Sequence, residues 1–293
     1  ITCRDWFQLS LKEGLTVYRD QTFTSDLHSA STKRIEDVSF LRNYQFSEDS
    51  GPTSHAVKPS EYVSIDNFYT TTIYEKGAEL VRMLHTLIGN KAFMRGINLY
   101  VKRFDGCAAT TEDFLTSIYD GAREINPKLD FDINQFSHWY FQPGTPEVNL
   151  IREWDSKLGR LTLNVTQSIT DNDKSLNRKP LVIPLSIGVM TCDGKVNLKK
   201  LLIINQSTQT FIIDNLPKDD EKPILSLFRN FSAPVKWNSD LSEREIFSLL
   251  RFDDDPFSRW NSAQDLMRRA VIARASENPN VQLESNLVNI LSE

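Results

Sequence analysis

The sequence predicts an α+β protein in three consecutive parts. Apolar residues recur at helical spacing up to Pro143, alternate with polar residues after it, and return to helical spacing after Asn238. These two changes of period predict a helical region over residues 1–142, an antiparallel β-sandwich over residues 143–238, and the beginning of a second helical region over residues 239–293.

The composition is that of a globular protein and excludes several classes of function. The chain has 293 residues, of which 40% are hydrophobic and 25% are charged. A net charge of -5 argues against a nucleic-acid-binding surface, which needs a basic face. No apolar run reaches the roughly 18 residues that are needed to cross a bilayer. We therefore expect no nucleic-acid partner and no membrane segment.

The cysteines and histidines predict neither a disulfide framework nor a self-contained zinc site. Cys3, Cys107 and Cys192 are odd in number and far apart in the sequence, which is typical of a reducing compartment. None belongs to a CxxC pair, and the 4 histidines include no HxxxH pair. These patterns predict a cytoplasmic or otherwise reducing intracellular location.

Amphipathic helices account for the first part. Apolar residues at helical spacing predict helices over residues 5–19, 74–88 and 92–104. Thr110 and Asp132 are predicted to cap two further helices, because their side-chain oxygens can accept from the exposed amides of a first turn. Two tryptophans of these helices, Trp6 and Trp139, are predicted core residues.

Short β-rich runs follow, and helices return at the end. The predicted strands cover residues 161–166, 181–190, 201–204, 211–213 and 231–237. Ser242 and Glu245 form a predicted capping box, and another helix is predicted over residues 260–275. About fifty residues of helix are too few for a domain, so we expect the C-terminal end to be truncated. Ile1 is not a methionine and leads directly into a helix, which indicates an internal segment; a processed N-terminus is the alternative.

Glu13 and Asp20 are the two carboxylates on the first helix that could carry chemistry. They are seven residues, or two helical turns, apart and so share one face. Paired acids on one face can bind a metal or orient a histidine. The same spacing is common on solvated helix surfaces, so the residues alone leave both interpretations open.

Four motifs resemble those of the aminopeptidase N-type zinc metallopeptidases, a gluzincin family with an HExxH motif. Residues 12–16 (KEGLT) resemble the segment with the third zinc ligand, and residues 67–78 (NFYTTTIYEKGA) resemble the catalytic tyrosine motif. Residues 142–146 (QPGTP) resemble the junction into the sandwich, and residues 231–235 (FSAPV) resemble its last strand. The order and spacing match over about 240 residues, and the KEGL form is similar to the bacterial and protozoan branch.

The resemblance implies the identity of the three parts and the activity of the parent protein. Residues 1–142 would be the C-terminal helical part of a thermolysin-like catalytic domain, residues 143–238 the β-sandwich domain, and residues 239–293 the beginning of a C-terminal helical domain. The parent would be a hydrolase that uses one zinc ion to remove N-terminal residues from peptide substrates. Its other partners would be the missing N-terminal and C-terminal parts of the same polypeptide.

The resemblance also implies roles for five residues. Glu13 matches the zinc ligand, and Tyr74 matches the tyrosine that donates to the oxyanion of the tetrahedral intermediate. Tyr69 and Val17 resemble substrate-pocket residues, and Asp20 matches a carboxylate that orients a ligating histidine. Each role has a plain alternative, which is core packing for Tyr69, Tyr74 and Val17 and a solvated helix surface for Asp20.

The resemblance further implies that the isolated chain is incomplete. The family places its HExxH motif eighteen residues before the zinc-binding glutamate, and only twelve residues precede Glu13. Both histidines would therefore lie upstream of Ile1, and we expect this chain to be inactive alone and to bind zinc weakly or not at all. The alternative function is a zinc-less peptide- or protein-binding module of the same fold, although such a module need not keep Glu13, Asp20 and Tyr74.

Overall fold

The computed structural model describes residues 1–169, 178–191 and 194–292. Cys192 lies outside these ranges. The predicted α+β class is confirmed, because helices precede two β-sheets and further helices follow them.

Seven α-helices form the first part of the described chain. They are α1 (Leu9–Leu27), α2 (Ala30–Phe40), α3 (Phe46–Asp49), α4 (Gly77–Ile88), α5 (Asn90–Phe104), α6 (Thr111–Ile125) and α7 (Ile133–Phe141). Two π-helical segments, Leu41–Gln45 and Thr72–Lys76, lead into α3 and α4. Strands β1 (Thr2–Cys3) and β2 (Ala108–Ala109) form a small parallel pair.

Local capping sets the start of α6 and α7, as predicted. The Thr110 hydroxyl accepts from the Asp113 amide, and the Asp113 carboxylate accepts from the Thr110 amide in return. Asp132 caps α7 by accepting from the amide of Asn134.

The two predicted core tryptophans have different surroundings. Trp139 is 1% exposed, and its indole nitrogen donates to the Val182 carbonyl at 2.8 Å, so its prediction is confirmed. Trp6 is 43% exposed, and its prediction is wrong. The 3-10 segment Trp6–Gln8 precedes α1, so Trp6 does not follow the register that buries the apolar side of that helix.

The second part is a sandwich of two sheets. Its strands are β3 (Glu147–Asp155), β4 (Arg160–Ser168), β5 (Ile183–Met190), β6 (Val196–Ile204), β7 (Thr208–Ile213), β8 (Ile224–Leu227) and β9 (Lys236–Ser239). One sheet has the order β7-β4-β3-β9 and the other has the order β6-β5-β8. Their described pairs are antiparallel except β3 with β9, which run parallel. The predicted alternation in β4 is confirmed, since Leu161, Leu163 and Val165 are all 0% exposed.

The last strand begins later than predicted. Phe231 lies in the 3-10 segment Arg229–Phe231 with a positive φ of 49°, which is incompatible with an extended strand. Its ring is fully buried and lies 5.5 Å from the ring of Phe257. Phe231 therefore anchors the C-terminal helices, and the strand starts at Lys236.

Three helices, α8 (Glu243–Phe252), α9 (Pro256–Ala275) and α10 (Val281–Ser292), follow the sandwich. The capping box of Ser242 and Glu245 is confirmed. Helix α9 begins four residues earlier than predicted, because Asp255 caps it and accepts from the Ser258 amide. No helix in the described ranges is long and apolar enough to span a membrane.

Candidate active site

The candidate site forms where α1 crosses α4. A Cβ atom on Gly14 would lie 2.7 Å from the Gly77 carbonyl carbon, and one on Gly77 would lie 2.2 Å from the Ser10 hydroxyl oxygen. Only glycine fits such a close approach of two helices. Gly14 follows Glu13 directly, and Gly77 follows Tyr74 by three residues. The crossing therefore holds the segments of Glu13 and Tyr74 together.

Tyr74 is a partly exposed residue of the π-helical segment before α4. Its pKa is raised by desolvation first, then by the negative charge of Glu13 and by Tyr69, while Lys12 lowers it. The phenol therefore keeps its proton at neutral pH and is available as a hydrogen-bond donor.

The Glu13 carboxylate is largely shielded but has an exposed partner. The Lys12 ammonium lies 2.9 Å from a Glu13 carboxylate oxygen, with side-chain exposures of 58% for Lys12 and 16% for Glu13. The hydrogen bond and the charge of Glu13 raise the pKa of Lys12. An exposed lysine is weakly held in such a pair, so Lys12 can leave this oxygen for solvent at small cost.

Two aromatic rings extend the site beside Tyr74. The Tyr69 ring centroid lies 6.4 Å from that of Tyr74 and 6.5 Å from that of Trp6. Tyr69 is 53% exposed, so this surface is open. Sequence reasoning missed Trp6 as a member of the site, because an apolar residue next to an amphipathic helix carries no mark that separates core from surface.

The five predicted site residues do not all lie together. The structure brings Glu13, Tyr69 and Tyr74 into one cluster. Val17 lies further along α1 and packs partly buried against the main hydrophobic core. Asp20 is exposed on the same helix, and its charge acts on Glu75 by raising the pKa of that carboxyl group.

Glu75 is an acidic group of the site that the sequence did not single out for its chemistry. Burial raises its pKa to about 7, and the charges of Asp37 and Glu79 add to this, while Lys33 opposes them. Gln21 on α1 donates to its carboxylate at 3.4 Å. The group therefore titrates near neutral pH, as a consequence of its place between α1, α2 and α4.

The next residue, Lys76, connects the tyrosine segment to the start of the sandwich. Its ammonium lies 2.8 Å from the Asp49 carboxylate and donates to the Gly144 carbonyl at 3.0 Å. Asp49 also accepts from the Gly144 amide at 2.8 Å and from the Thr145 hydroxyl at 2.9 Å. The motif of residues 142–146 thus fixes the base of the segment that carries Tyr74.

The described residues do not form a complete metal site. They contain no group of three or more His, Cys, Asp and Glu side chains that could hold a metal ion, whereas a catalytic zinc site takes three protein ligands. His85 bonds through Nδ1 to the Tyr18 hydroxyl and stacks on Phe93 at 4.6 Å, and His55 bonds to the Thr70 hydroxyl at 2.9 Å. His85 thus connects α4 to α1, and His55 connects two positions outside the helices, so neither of these histidines forms a metal site with Glu13.

Three family models match consecutive ranges of the chain. The Peptidase family M1 domain matches residues 1–140. A domain of unknown function with an Ig-like fold matches residues 144–240, and one with ARM repeats matches residues 243–293.

Curated relatives and a solved structure give the same picture. Aminopeptidase N of Haemophilus influenzae is 40% identical over 100% of this chain and 34% of its own length. Aminopeptidase N of Caulobacter vibrioides is 43% identical over 96% of this chain and 31% of its own length. The crystal structure of Legionella pneumophila aminopeptidase A in complex with aspartic acid superposes with a TM-score of 0.81 at 27% identity, over 100% of this chain and 31% of that one. The chain thus spans about a third of the length of these proteins.

Proposed function

Since the chain belongs to the M1 peptidase family, in its aminopeptidase N branch, we propose that the whole protein is a zinc aminopeptidase that removes N-terminal residues from peptides. In this proposal the chain contributes Glu13 and Tyr74 to an active site that other parts of the enzyme complete. The observation that carries the proposal is the crossing of α1 and α4, which places Glu13 close enough to Tyr74 for its negative charge to raise the pKa of the phenol.

Each of the two residues has a task that its surroundings support. Glu13 offers one carboxylate oxygen as a metal ligand, and residues beyond the described ones supply the remaining ligands. A bound zinc ion polarises a carbonyl and lowers the pKa of its water. Tyr74 keeps its proton because burial and Glu13 raise its pKa, so it donates to an oxygen that becomes negative as the scissile carbonyl is attacked.

The remaining predicted residues shape the surroundings of this pair. Tyr69, with Trp6 beside it, forms an aromatic surface against which a peptide side chain can pack. Val17 lies one turn after Glu13 on α1 and is proposed to line the substrate pocket. Asp20 is proposed to orient a ligating histidine from another part of the enzyme. The 293-residue chain alone is proposed to be inactive.

Peptide binding without catalysis is the second candidate function. The exposed rings of Trp6 and Tyr69 favour it, because aromatic side chains with open faces are typical of binding surfaces. The two functions differ in what they require of Tyr74. Catalysis needs its hydroxyl group, whereas a binding surface needs only its ring.

Substitutions of Tyr74 and Glu13 in the full-length enzyme separate the two functions. Tyr74→Phe removes one oxyanion donor, so we expect turnover of an aminoacyl anilide to fall by roughly 10²- to 10³-fold with zinc retained. Glu13→Ala should instead lose the zinc, as measured by elemental analysis. Tyr44→Phe, at a residue that is 58% exposed, is the matched control and should keep full activity. Wild-type turnover in Tyr74→Phe would refute the catalytic role.

A further inference from the structure

A polar cavity lies at the junction of the sandwich with the C-terminal helices. Its volume is about 660 Å³, and its walls come from the π-helical segment before α3 and from β8, β9, α8 and α9. The charged lining residues are Arg42, Lys236, Arg268 and Arg269 against a single acid, Asp265. The lining therefore has a formal charge of +3 in a protein whose net charge is -5. Such a local excess attracts anions.

Arg42 is the central cation of this cavity. Its guanidinium carbon lies 5.1–5.9 Å from the centroids of four rings, those of Phe231, Trp237, Phe257 and Trp260. Within the described ranges it makes one hydrogen bond, to the Asn261 side-chain oxygen at 2.8 Å, and no ion pair. A guanidinium group has five N–H donors, so most of them stay free for a ligand.

The electrostatics of Arg42 agree with the lack of an acidic partner. Burial lowers its pKa to about 10, and the positive charge of Arg34 contributes in the same direction. Glu79 pairs with Arg34 at 2.6 Å and with Arg82 at 3.4 Å, so it is not a partner of Arg42. A cation held among rings without a counterion gains from an anion that enters the cavity.

The other cations leave a further excess of positive charge. Lys236 is exposed on β9, and its ammonium nitrogen lies 5.9 Å from the ring centroid of Phe46. No carboxylate of the described residues pairs with it. Arg268 and Arg269 both pair with Asp265, at 2.7 and 2.9 Å, so two positive charges share one negative charge.

We propose that this cavity binds a small dianion, either a phosphate or a dicarboxylate, with Arg42 as its principal contact and Lys236 as a second. The planar guanidinium fork suits two oxygens of such an anion, and the ammonium of Lys236 adds charge without fixed geometry. The hydroxyl groups of Ser239 and Ser262 and the amide nitrogen of Asn261, whose oxygen accepts from Arg42, offer further donors in the lining. The site is separate from Glu13 and Tyr74 and does not depend on the proposed peptidase activity.

Calorimetric titration of the 293-residue protein tests this site. Inorganic phosphate and succinate are the probes, and sodium chloride at equal ionic strength is the reference. We expect at least one probe to bind, and Arg42→Gln and Lys236→Gln each to weaken it by about tenfold or more, as expected for the loss of a hydrogen bond to a charged group. Lys102→Gln makes the same charge change on an exposed residue of α5 and should leave binding unchanged.

A second variant keeps the test informative if the first one fails to fold. Lys236 is exposed, so Lys236→Gln remains informative even if Arg42→Gln does not fold. Binding of phosphate alone, or of succinate alone, that weakens in the cavity variants supports the site and identifies its ligand chemistry. No binding beyond that seen in chloride, or equal binding in Lys236→Gln and Lys102→Gln, would overturn the proposal.

Discussion

Glu13 and Tyr74 are about sixty positions apart in the sequence, yet the charge of Glu13 acts on the Tyr74 phenol. The negative charge of Glu13 adds to burial in raising the pKa of the Tyr74 phenol. The Glu13 carboxylate itself pairs with Lys12 at 2.9 Å. The two residues to which we assign the oxyanion donor and a metal ligand thus lie at one place in the fold.

Both residues could be found in the sequence only through the motifs that surround them. A lone glutamate or tyrosine on an amphipathic helix is compatible with an ordinary surface or core position. The glycines of the same motifs, Gly14 and Gly77, allow the two helices to approach closely. The raised pKa of Glu75 depends on burial and on the charge of Asp37, which is distant in sequence, so a local pattern could not predict it.

The raised pKa of Glu75 predicts how the stability of the protein depends on pH. Its pKa is about 7 in the folded protein against an ordinary value of 4.5. Between these values the folded state binds a proton that the unfolded state has released, so stability falls as pH rises from about 4.5 to about 7. The side chain introduced by Glu75→Gln cannot ionise. This variant should therefore be more stable than the wild type at pH about 8, and the difference should be smaller at pH about 5. Urea unfolding at both pH values measures the free energy of unfolding.

A matched variant controls for the loss of a negative charge. Glu36 is exposed on α2, so Glu36→Gln should follow the wild-type pH dependence. The result that contradicts the prediction is a Glu75→Gln protein whose free energy of unfolding depends on pH as that of the wild type does.

The capped helices are the elements that the sequence predicts best. The hydroxyl and carboxylate groups of Thr110, Asp132 and Ser242 act on amides two or three residues away, so their signal is local. The segment around Phe231 was predicted wrongly for the opposite reason. Its positive φ is maintained by burial against Phe257 and by Arg34, which donates to the Phe231 carbonyl at 2.9 Å. Neither partner is near it in the sequence.

The pair of Asp49 and Lys76 connects α3 to the segment before α4, so we expect its loss to lower the free energy of unfolding. The two side chains are 0% and 1% exposed. Asp49→Ala leaves the Lys76 ammonium buried without a counterion, so we expect a loss of about 3–5 kcal/mol in the free energy of unfolding. Urea denaturation of the variant measures this loss.

Two further variants test the cause of that loss. Asp120→Ala removes half of an exposed pair with Arg103 and should cost less than about 1 kcal/mol. Asp49→Leu combined with Lys76→Met removes both charges and should be more stable than Asp49→Ala. Equal effects of Asp49→Ala and Asp120→Ala would show that the buried pair does not hold these elements together.

Two buried arginines join the three parts of the whole molecule, one through a hydrogen bond and the other through an ion pair. Arg34 on α2 donates to the Phe231 carbonyl, which ties the first part to the sandwich. Arg152 on β3 pairs with Glu245 on α8, which ties the sandwich to the C-terminal helices. The period of the sequence predicted three parts in the correct order. It could not predict these contacts or the parallel pairing of β3 with β9, because they join residues almost ninety or more positions apart.

Metal content tests most directly whether Glu13 is one ligand of a site that other parts of the enzyme complete. The measurement is zinc per chain, by elemental analysis of the purified 293-residue protein after dialysis against metal-free buffer. We predict a value near zero, because the described residues offer no group of three ligands. Stoichiometric zinc would contradict this, since the chain would then build a metal site from its own residues and the role of Glu13 would have to be assigned anew.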